Sequence, residues 1–168
     1  SIARPFNAVG IGEVKTETNK KLSENSQNLA LSHVVPDLIL KCLDYEDELE
    51  ILGEGNQIRH YTYGEDLAKG ICTLLTHENA KNNDFNLSTA QSTSVLELAD
   101  IIFKKINPDK ELKIKNLEPF TYDVQKRIPS TEKAYNLLGF EAKTTLSDML
   151  DIVIPVSYTH LTLPTIVR

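Results

Sequence analysis

The stretch Leu49–Ile71, LEILGEGNQIRHYTYGEDLAKGI, puts strand, turn and helix signals in one unbroken run. Leu49-Glu50-Ile51-Leu52 alternates apolar and charged residues, as a half-buried strand does. Gly53-Glu54-Gly55-Asn56 supplies turn chemistry, and Gln57 to Tyr63 reads as a second, returning strand. A helix is then predicted from about Glu65 to His77, with Glu65 and Asp66 in the first turn, where the helix dipole favours acids. Leu67, Ile71, Leu74 and Leu75 are its expected apolar face, and Asp66 is expected to cap it. Arg59, Tyr61 and Tyr63 follow at steps of two, so a regular strand carries all three on one face, with Tyr63 in the core.

The same grammar extends outward. Upstream, SHVVPDLILKCLD (residues 32–44) predicts a helix with Pro36 in its first turn, where a missing N–H costs nothing. Val35, Leu38, Ile39 and Cys42 share one face of it. Before it lies a polar stretch, Gly10 to Asn28, expected to be a long loop, and an opening strand that ends in Arg4-Pro5-Phe6-Asn7. Downstream, Asp84 to Ser88 reads as a strand. Ser94 and Glu97 form a capping-box pair opening a helix with Val95, Leu98, Ala99, Ile102 and Ile106 inward. Asn107-Pro108-Asp109 stops that helix, and Glu111 to Lys115 alternates like a charged edge strand. Ser130 to Leu138 predicts a short helix closed by Gly139. Thr145 caps a last helix with Leu146, Met149, Leu150 and Val153 on one side. Alternating strands and helices make the class α/β, yet the elements are too few for a closed doubly wound sheet, so half of a larger fold fits better.

Bulk properties set limits. The 168 residues are 40% hydrophobic and 25% charged, with a net charge of -6, which suits a globular domain and argues against non-specific nucleic-acid binding. No apolar run reaches the roughly 20 residues a membrane span needs, and no signal-peptide pattern is present, so no membrane partner is expected. Cys42 and Cys72 lack CxxC spacing and are expected to be structural thiols among apolar neighbours, consistent with a reducing cytoplasm. His33, His60, His77 and His160 lack metal-ligand spacing, so no metal site is expected. The strand-like run Val156 to Thr165 is recognised as one reading frame of a sequencing-library adaptor. The expected division is therefore residues 1–154 as the functional part and 155–168 as a non-native tail.

Five segments in order, ARPFNAVGIGE, SHVVPDLILK, the Leu49–Ile71 stretch, FNLSTAQSTSVLELADII and YDVQKRIPSTEKAYNLLGFEAKTTLSDML, resemble the C-terminal half of the extended short-chain dehydrogenase/reductases. These are NAD-dependent nucleotide-sugar epimerases and dehydratases, and UDP-sugar 4-epimerases are the nearest type. The resemblance implies a substrate-binding C-terminal part with the last strands of an incomplete Rossmann sheet. It also implies NAD as cofactor, a nucleotide-diphosphate sugar as ligand, hydride transfer at sugar C4 and a homodimeric parent. The family's glycine-rich loop and Tyr/Lys dyad belong upstream of Arg-Pro-Phe-Asn, so the expectation is no catalytic residue in this chain and no turnover by it alone. No G-x-G-x-x-G occurs. Tyr122-Asp123-Val124-Gln125-Lys126 matches Y-x-x-x-K literally but lies between prolines, and is read as coincidence. A non-catalytic nucleotide-sugar binding module and a truncated product without function are the alternatives.

The resemblance also distributes roles. Asn7, His33 and Val34 fall where the family meets the ligand's phosphates or sugar, the last two beside the free N–H groups of a helix start. Pro5 and Phe6 fall near the nicotinamide. Glu50 and Leu52 lie on the strand that holds the base through its backbone and an apolar side chain. Arg59 falls at the diphosphate, which a guanidinium can bind bidentately, a salt bridge to Glu54 or Glu65 being its other use. Asp123 falls at the ribose. Phe120 stands where the family often has Arg, with Lys126 or Arg127 as other sources of charge.

Overall fold

A computed structural model describes residues 1–11, 33–119 and 121–162. Most of the loop expected between Gly10 and Asn28 therefore lies outside the described residues, as does Phe120. The elements are β1 (Ile2–Pro5), β2 (Ala8–Val9), α1 (Val34–Leu43), β3 (Leu49–Leu52), β4 (Ile58–Arg59), β5 (Thr62–Tyr63) and α2 (Gly64–Thr76). After a 3-10 turn, Glu78–Ala80, come β6 (Asp84–Leu87), β7 (Thr93–Ser94), α3 (Val95–Ile106), β8 (Ile114–Leu117), α4 (Glu132–Leu138) and α5 (Leu146–Thr162). Pairing is long-range: β1 with β6, β2 with β5 and β3 with β8 are parallel, and β4 with β7 is antiparallel. The fold is α/β, and among the described residues its strands form four two-stranded pairs joined by helices.

Local chemistry explains most of these elements. In α1, Val35, Leu38, Ile39 and Cys42 are buried, and burial pushes the Cys42 thiol up to about 12. In α3 the capping box is complete. The Ser94 hydroxyl accepts from the Glu97 N–H at 3.1 Å, and the Glu97 carboxylate accepts from the Ser94 N–H at 2.7 Å. Thr145 accepts from the Asp148 N–H at 3.2 Å at the start of α5. Gly139 ends α4 in the left-handed conformation, φ 65°.

Several expectations need correction. Gln57 to Tyr63 is two short strands, not one, and β3 does not pair with β4: each finds a partner far along the chain. The buried face of α2 is Leu67, Gly70 and Leu74, while Ile71 and Leu75 are exposed. Gly70 decides this, because a Cβ there would stand 2.8 Å from the Phe140 ring; the helix turns its interior glycine to the close contact. Strand β8 begins three residues later than the charge alternation implied, because the Tyr45 hydroxyl intercepts the Lys113 N–H and the Glu111 carbonyl at 3.1 and 3.0 Å. Asp66 does not cap α2; it is buried and accepts from the Thr144 N–H at 2.8 Å. Cys72 is exposed rather than packed. Residues 156–162 continue α5 as helix through Pro155 instead of forming a strand, with Ser157 donating to the Val153 carbonyl at 3.1 Å. Among the described residues no helix is long and apolar enough to cross a membrane.

Candidate ligand-binding site

The break between β4 and β5 creates the site. At the break His60 turns inward and is buried, with Nδ1 2.8 Å from the Thr89 carbonyl and Nε2 2.9 Å from the Ser92 hydroxyl. A carbonyl can only accept, so Nδ1 carries the proton. The His60 carbonyl accepts from the Asn7 amide at 3.1 Å, and the Asn7 carbonyl accepts from the Thr62 N–H at 3.1 Å. Asn7 sits at φ 36°, a left-handed turn that Asn tolerates better than most residues. The end of β1 is thereby fastened to the kink that presents Arg59.

Two cavities meet at Arg59. One, of about 180 Å³, lies between α1 and β3 and is lined by Val34, Glu50, Leu52, Gln57, Arg59 and Asp123, among others. The other, of about 110 Å³, is lined by Asn7, His33, Val34, Arg59 and Tyr61 together with small residues of β2 and α1. Val34, Arg59 and Tyr61 line both. All seven residues expected at the substrate thus line one or both of these neighbouring cavities. Pro5 and Phe6 line neither cavity: Pro5 is exposed at the end of β1, and Phe6 is half-buried, its N–H on the Leu87 carbonyl at 3.2 Å. Lys126 and Arg127 line neither cavity and are exposed.

The polar contacts sort the cleft into two ends. Arg59 pairs with Asp123 at 3.2 Å, not with Glu54 or Glu65, and its Nη1 donates to its neighbour's carbonyl, Ile58, at 2.9 Å. The second oxygen of Asp123 accepts from Gln57 Nε2 at 2.7 Å. Backbone bonds from Ile58 to Gln125 and Arg127, at 2.8 and 3.1 Å, hold the Asp123 segment along β4. Glu50 binds Lys115 at 2.7 Å, which holds its carboxyl below the usual range, and Asp37 binds Lys41 at 2.9 Å. The larger cavity is therefore lined by three carboxylates, Asp37, Glu50 and Asp123, and two cations, Lys41 and Arg59. Among the described residues the smaller has no carboxylate; it holds Arg59, the Asn7 amide and the start of α1, where the Val34 and Val35 N–H groups lack helical acceptors. His33 precedes α1 without a side-chain cap bond.

Two residues join this cleft that the sequence reading left out of it. Tyr61 is 5% exposed, its hydroxyl is buried without a partner, and burial pushes the phenol up to about 12 against the opposing pull of Arg59. It therefore stays protonated and can donate. Gln57 is 8% exposed, and its amide oxygen is also buried without a partner. The signal for Gln57 was its position two residues before Arg59 in the strand expected from Gln57 to Tyr63, where a step of two puts side chains on one face.

A family model described as the NAD dependent epimerase/dehydratase family matches residues 1–88, and this chain belongs to that family. Among curated relatives, UDP-glucuronic acid decarboxylase 4 of Arabidopsis thaliana is 31% identical over 122 residues, covering 72% of this chain and 26% of the relative. The UDP-glucose 4-epimerase GEPI42 of Cyamopsis tetragonoloba is 32% identical over 158 residues, 88% of this chain and 42% of its own. Among solved structures, UDP-glucose 4-epimerase from Thermotoga maritima with UDP-glucose superposes with a TM-score of 0.74 at 25% identity, over 95% of this chain and 46% of that one. The chain thus spans less than half the length of each of these three proteins.

Proposed function

We propose that this chain binds a nucleotide-diphosphate sugar, of the UDP type, for an NAD-dependent epimerase, dehydratase or decarboxylase reaction, with a UDP-sugar 4-epimerase the nearest case. The carrying observation is the position of Arg59 where a cavity with no carboxylate among the described residues meets a carboxylate-lined one. A diphosphate belongs in the former, with the guanidinium, the Asn7 amide, the protonated Tyr61 hydroxyl and the start of α1 as donors. The nucleoside belongs in the latter, where Asp123 and Glu50 accept from hydroxyl or N–H groups and Val34, Leu38 and Ile51 supply apolar wall. Arg59 gives one N–H to Asp123 and one to the Ile58 carbonyl, which orients the guanidinium and leaves further N–H donors for phosphate.

The chemistry that NAD would supply in such an enzyme is reversible hydride acceptance at sugar C4, and of this chain's residues Pro5 and Phe6 would be the ones to meet it. In our reading this chain's residues bind and orient the ligand and move no proton. The literal Tyr122/Lys126 pair cannot serve, since Tyr122 is 95% exposed in a loop while the cleft lies at Arg59. The assembled parent is read as a homodimer, and Pro5 and Phe6 as facing its cofactor.

Calorimetric titration of a UDP-hexose into the wild-type chain and Arg59→Ala tests the assignment. Removing a charge-assisted, bidentate phosphate contact is expected to weaken binding by roughly ten- to hundredfold. Equal affinity in the two proteins would overturn it.

A further inference from the structure

The cleft holds an acceptor that nothing in the protein satisfies. Gln57 is 8% exposed and lines the larger cavity. Its amide nitrogen is 2.7 Å from Asp123 Oδ2 and 3.4 Å from the Leu52 carbonyl. Both partners can only accept, since the carboxylate also takes a bond from Arg59. The NH2 end of the amide must therefore face them, which removes the usual ambiguity between amide oxygen and nitrogen. What remains is Oε1, buried and without a partner among the described residues. An acceptor left in that state costs free energy until a donor reaches it.

That acceptor is not alone. One amide width separates Oε1 from the nitrogen that touches Asp123, so the buried carbonyl oxygen and the carboxylate belong to two bonded side chains that both line the larger cavity. Two adjacent acceptors call for two adjacent donors. On a nucleotide sugar the vicinal hydroxyls of the ribose provide them; a base imide offers a single N–H.

Resting on the reading of the cleft as a nucleotide-sugar site, we propose that Gln57 is a specificity-determining residue. Its Oε1 accepts a hydrogen bond from a ribose hydroxyl, while its amide NH2 keeps Asp123 turned to the neighbouring hydroxyl. The pair selects for an intact ribose diol.

The test is a calorimetric comparison of UDP, 2′-deoxy-UDP, 3′-deoxy-UDP and N3-methyl-UDP on the wild-type chain and on Gln57→Met, which keeps length and removes both polar atoms. In the wild type, the nucleotide that lacks the bonded hydroxyl is expected to bind roughly tenfold more weakly than UDP. Gln57→Met is expected to bind UDP correspondingly less well and no longer to distinguish it from that deoxy nucleotide. Deoxy nucleotides that bind the wild type as tightly as UDP, or a discrimination ratio unchanged in Gln57→Met, would overturn the proposal. So would a penalty for N3-methylation that vanishes in the variant, since it would give Oε1 to the base. A second measurement needs no variant: the Gln57 side-chain carbonyl carbon should shift in the NMR spectrum with UDP and stay put with that deoxy nucleotide, and an unmoved resonance with UDP counts against it. A wild-type chain that binds none of the four overturns the nucleotide-sugar reading itself, together with this inference. A chain that binds UDP without regard to Gln57 overturns the inference alone.

Discussion

The apolar cluster around α1, α3 and α5 closes on itself, whereas the one around α2, α4 and β6 stays open on one side. In the first, Ile39, Cys42, Leu98, Ala99, Ile102 and Leu150 are all 0% exposed. In the second, Phe85 and Leu87 are buried, but β1 is exposed along its whole length, and Ile2 and Leu75 are 61% and 78% exposed. Both clusters are built from helices against strands. Among the described residues the first cluster is enclosed by three helices, while the second packs α2, α4 and Phe140 on Phe85 and Leu87 of β6 and leaves β1 exposed. The candidate cleft draws on both, taking α1 and β3 from the closed region and Asn7, beyond β1, from the open one.

The largest effect should come from the closed region. Leu98→Ala removes a side chain surrounded by Ile39, Cys42 and other members of that cluster, and is expected to destabilise the chain by about 2–5 kcal/mol, the range for buried Leu truncation. Chemical denaturation measures it. Hydrogen exchange sharpens the contrast: amides of α1 and α3 should exchange last and those of β1 first. If β1 is protected as well as α3, the two regions do not differ as described.

Next comes the close approach in the open region. Gly70→Ala would place a methyl carbon 2.8 Å from the Phe140 ring and 3.2 Å from Leu87, so α2 must shift or the ring must turn. Overpacking of this kind costs about 1–3 kcal/mol, which outweighs the helix propensity Ala gains over Gly of about 1 kcal/mol. A stabilised Gly70→Ala would mean that the open side lets α2 move away freely.

These two positions also show what could be read from sequence. Leu98 was legible because the capping box at Ser94 fixes where α3 begins and so fixes the phase of its apolar stripe. The inward face of α2 was not, because glycine carries no hydrophobic signal and Ile71 and Leu75 matched the helical period just as well. The hairpin expected at Gly53 to Asn56 failed for a related reason. Turn residues announce a change of direction, but the pairing partners, β8 for β3 and β7 for β4, lie far along the chain. In the site, Arg59 and Asp123 were singled out separately, and their pairing across 64 residues was invisible to local pattern. Gln57 was overlooked because an uncharged amide looks like surface until its burial is known.

A smaller effect concerns the polar termini of each region. Ser94→Ala removes the hydroxyl that accepts from the Glu97 N–H and is expected to cost about 1 kcal/mol. Glu97 has its carboxyl held below its ordinary 4.5 by the Ser94 backbone N–H first and the hydroxyl second. A carboxylate with a depressed folded pKa stabilises above its unfolded value, and that stabilisation is lost as pH falls through the folded one. Acid titration of stability should therefore slope less below pH 4.5 in Ser94→Ala than in wild type. In the open region Asp84 is held low in the same way, by Lys133 and then by Arg4, so both regions lose support together on acidification.

The smallest effect is expected at Leu75. Its side chain is 78% exposed on α2, turned away from Leu67, Gly70 and Leu74. Replacing it with serine removes no buried contact, and serine's lower helix propensity costs only a few tenths of a kcal/mol. Stability of Leu75→Ser should therefore stay within about 0.5 kcal/mol of wild type, as for other exposed positions without special roles. The comparison of regions depends on that near-silence, because the open side is defined by apolar residues that bury nothing. A loss of 2 kcal/mol or more would mean that Leu75 is packed in solution. The second region would then be closed by something other than the elements described, and the contrast with the α1–α3–α5 core would disappear.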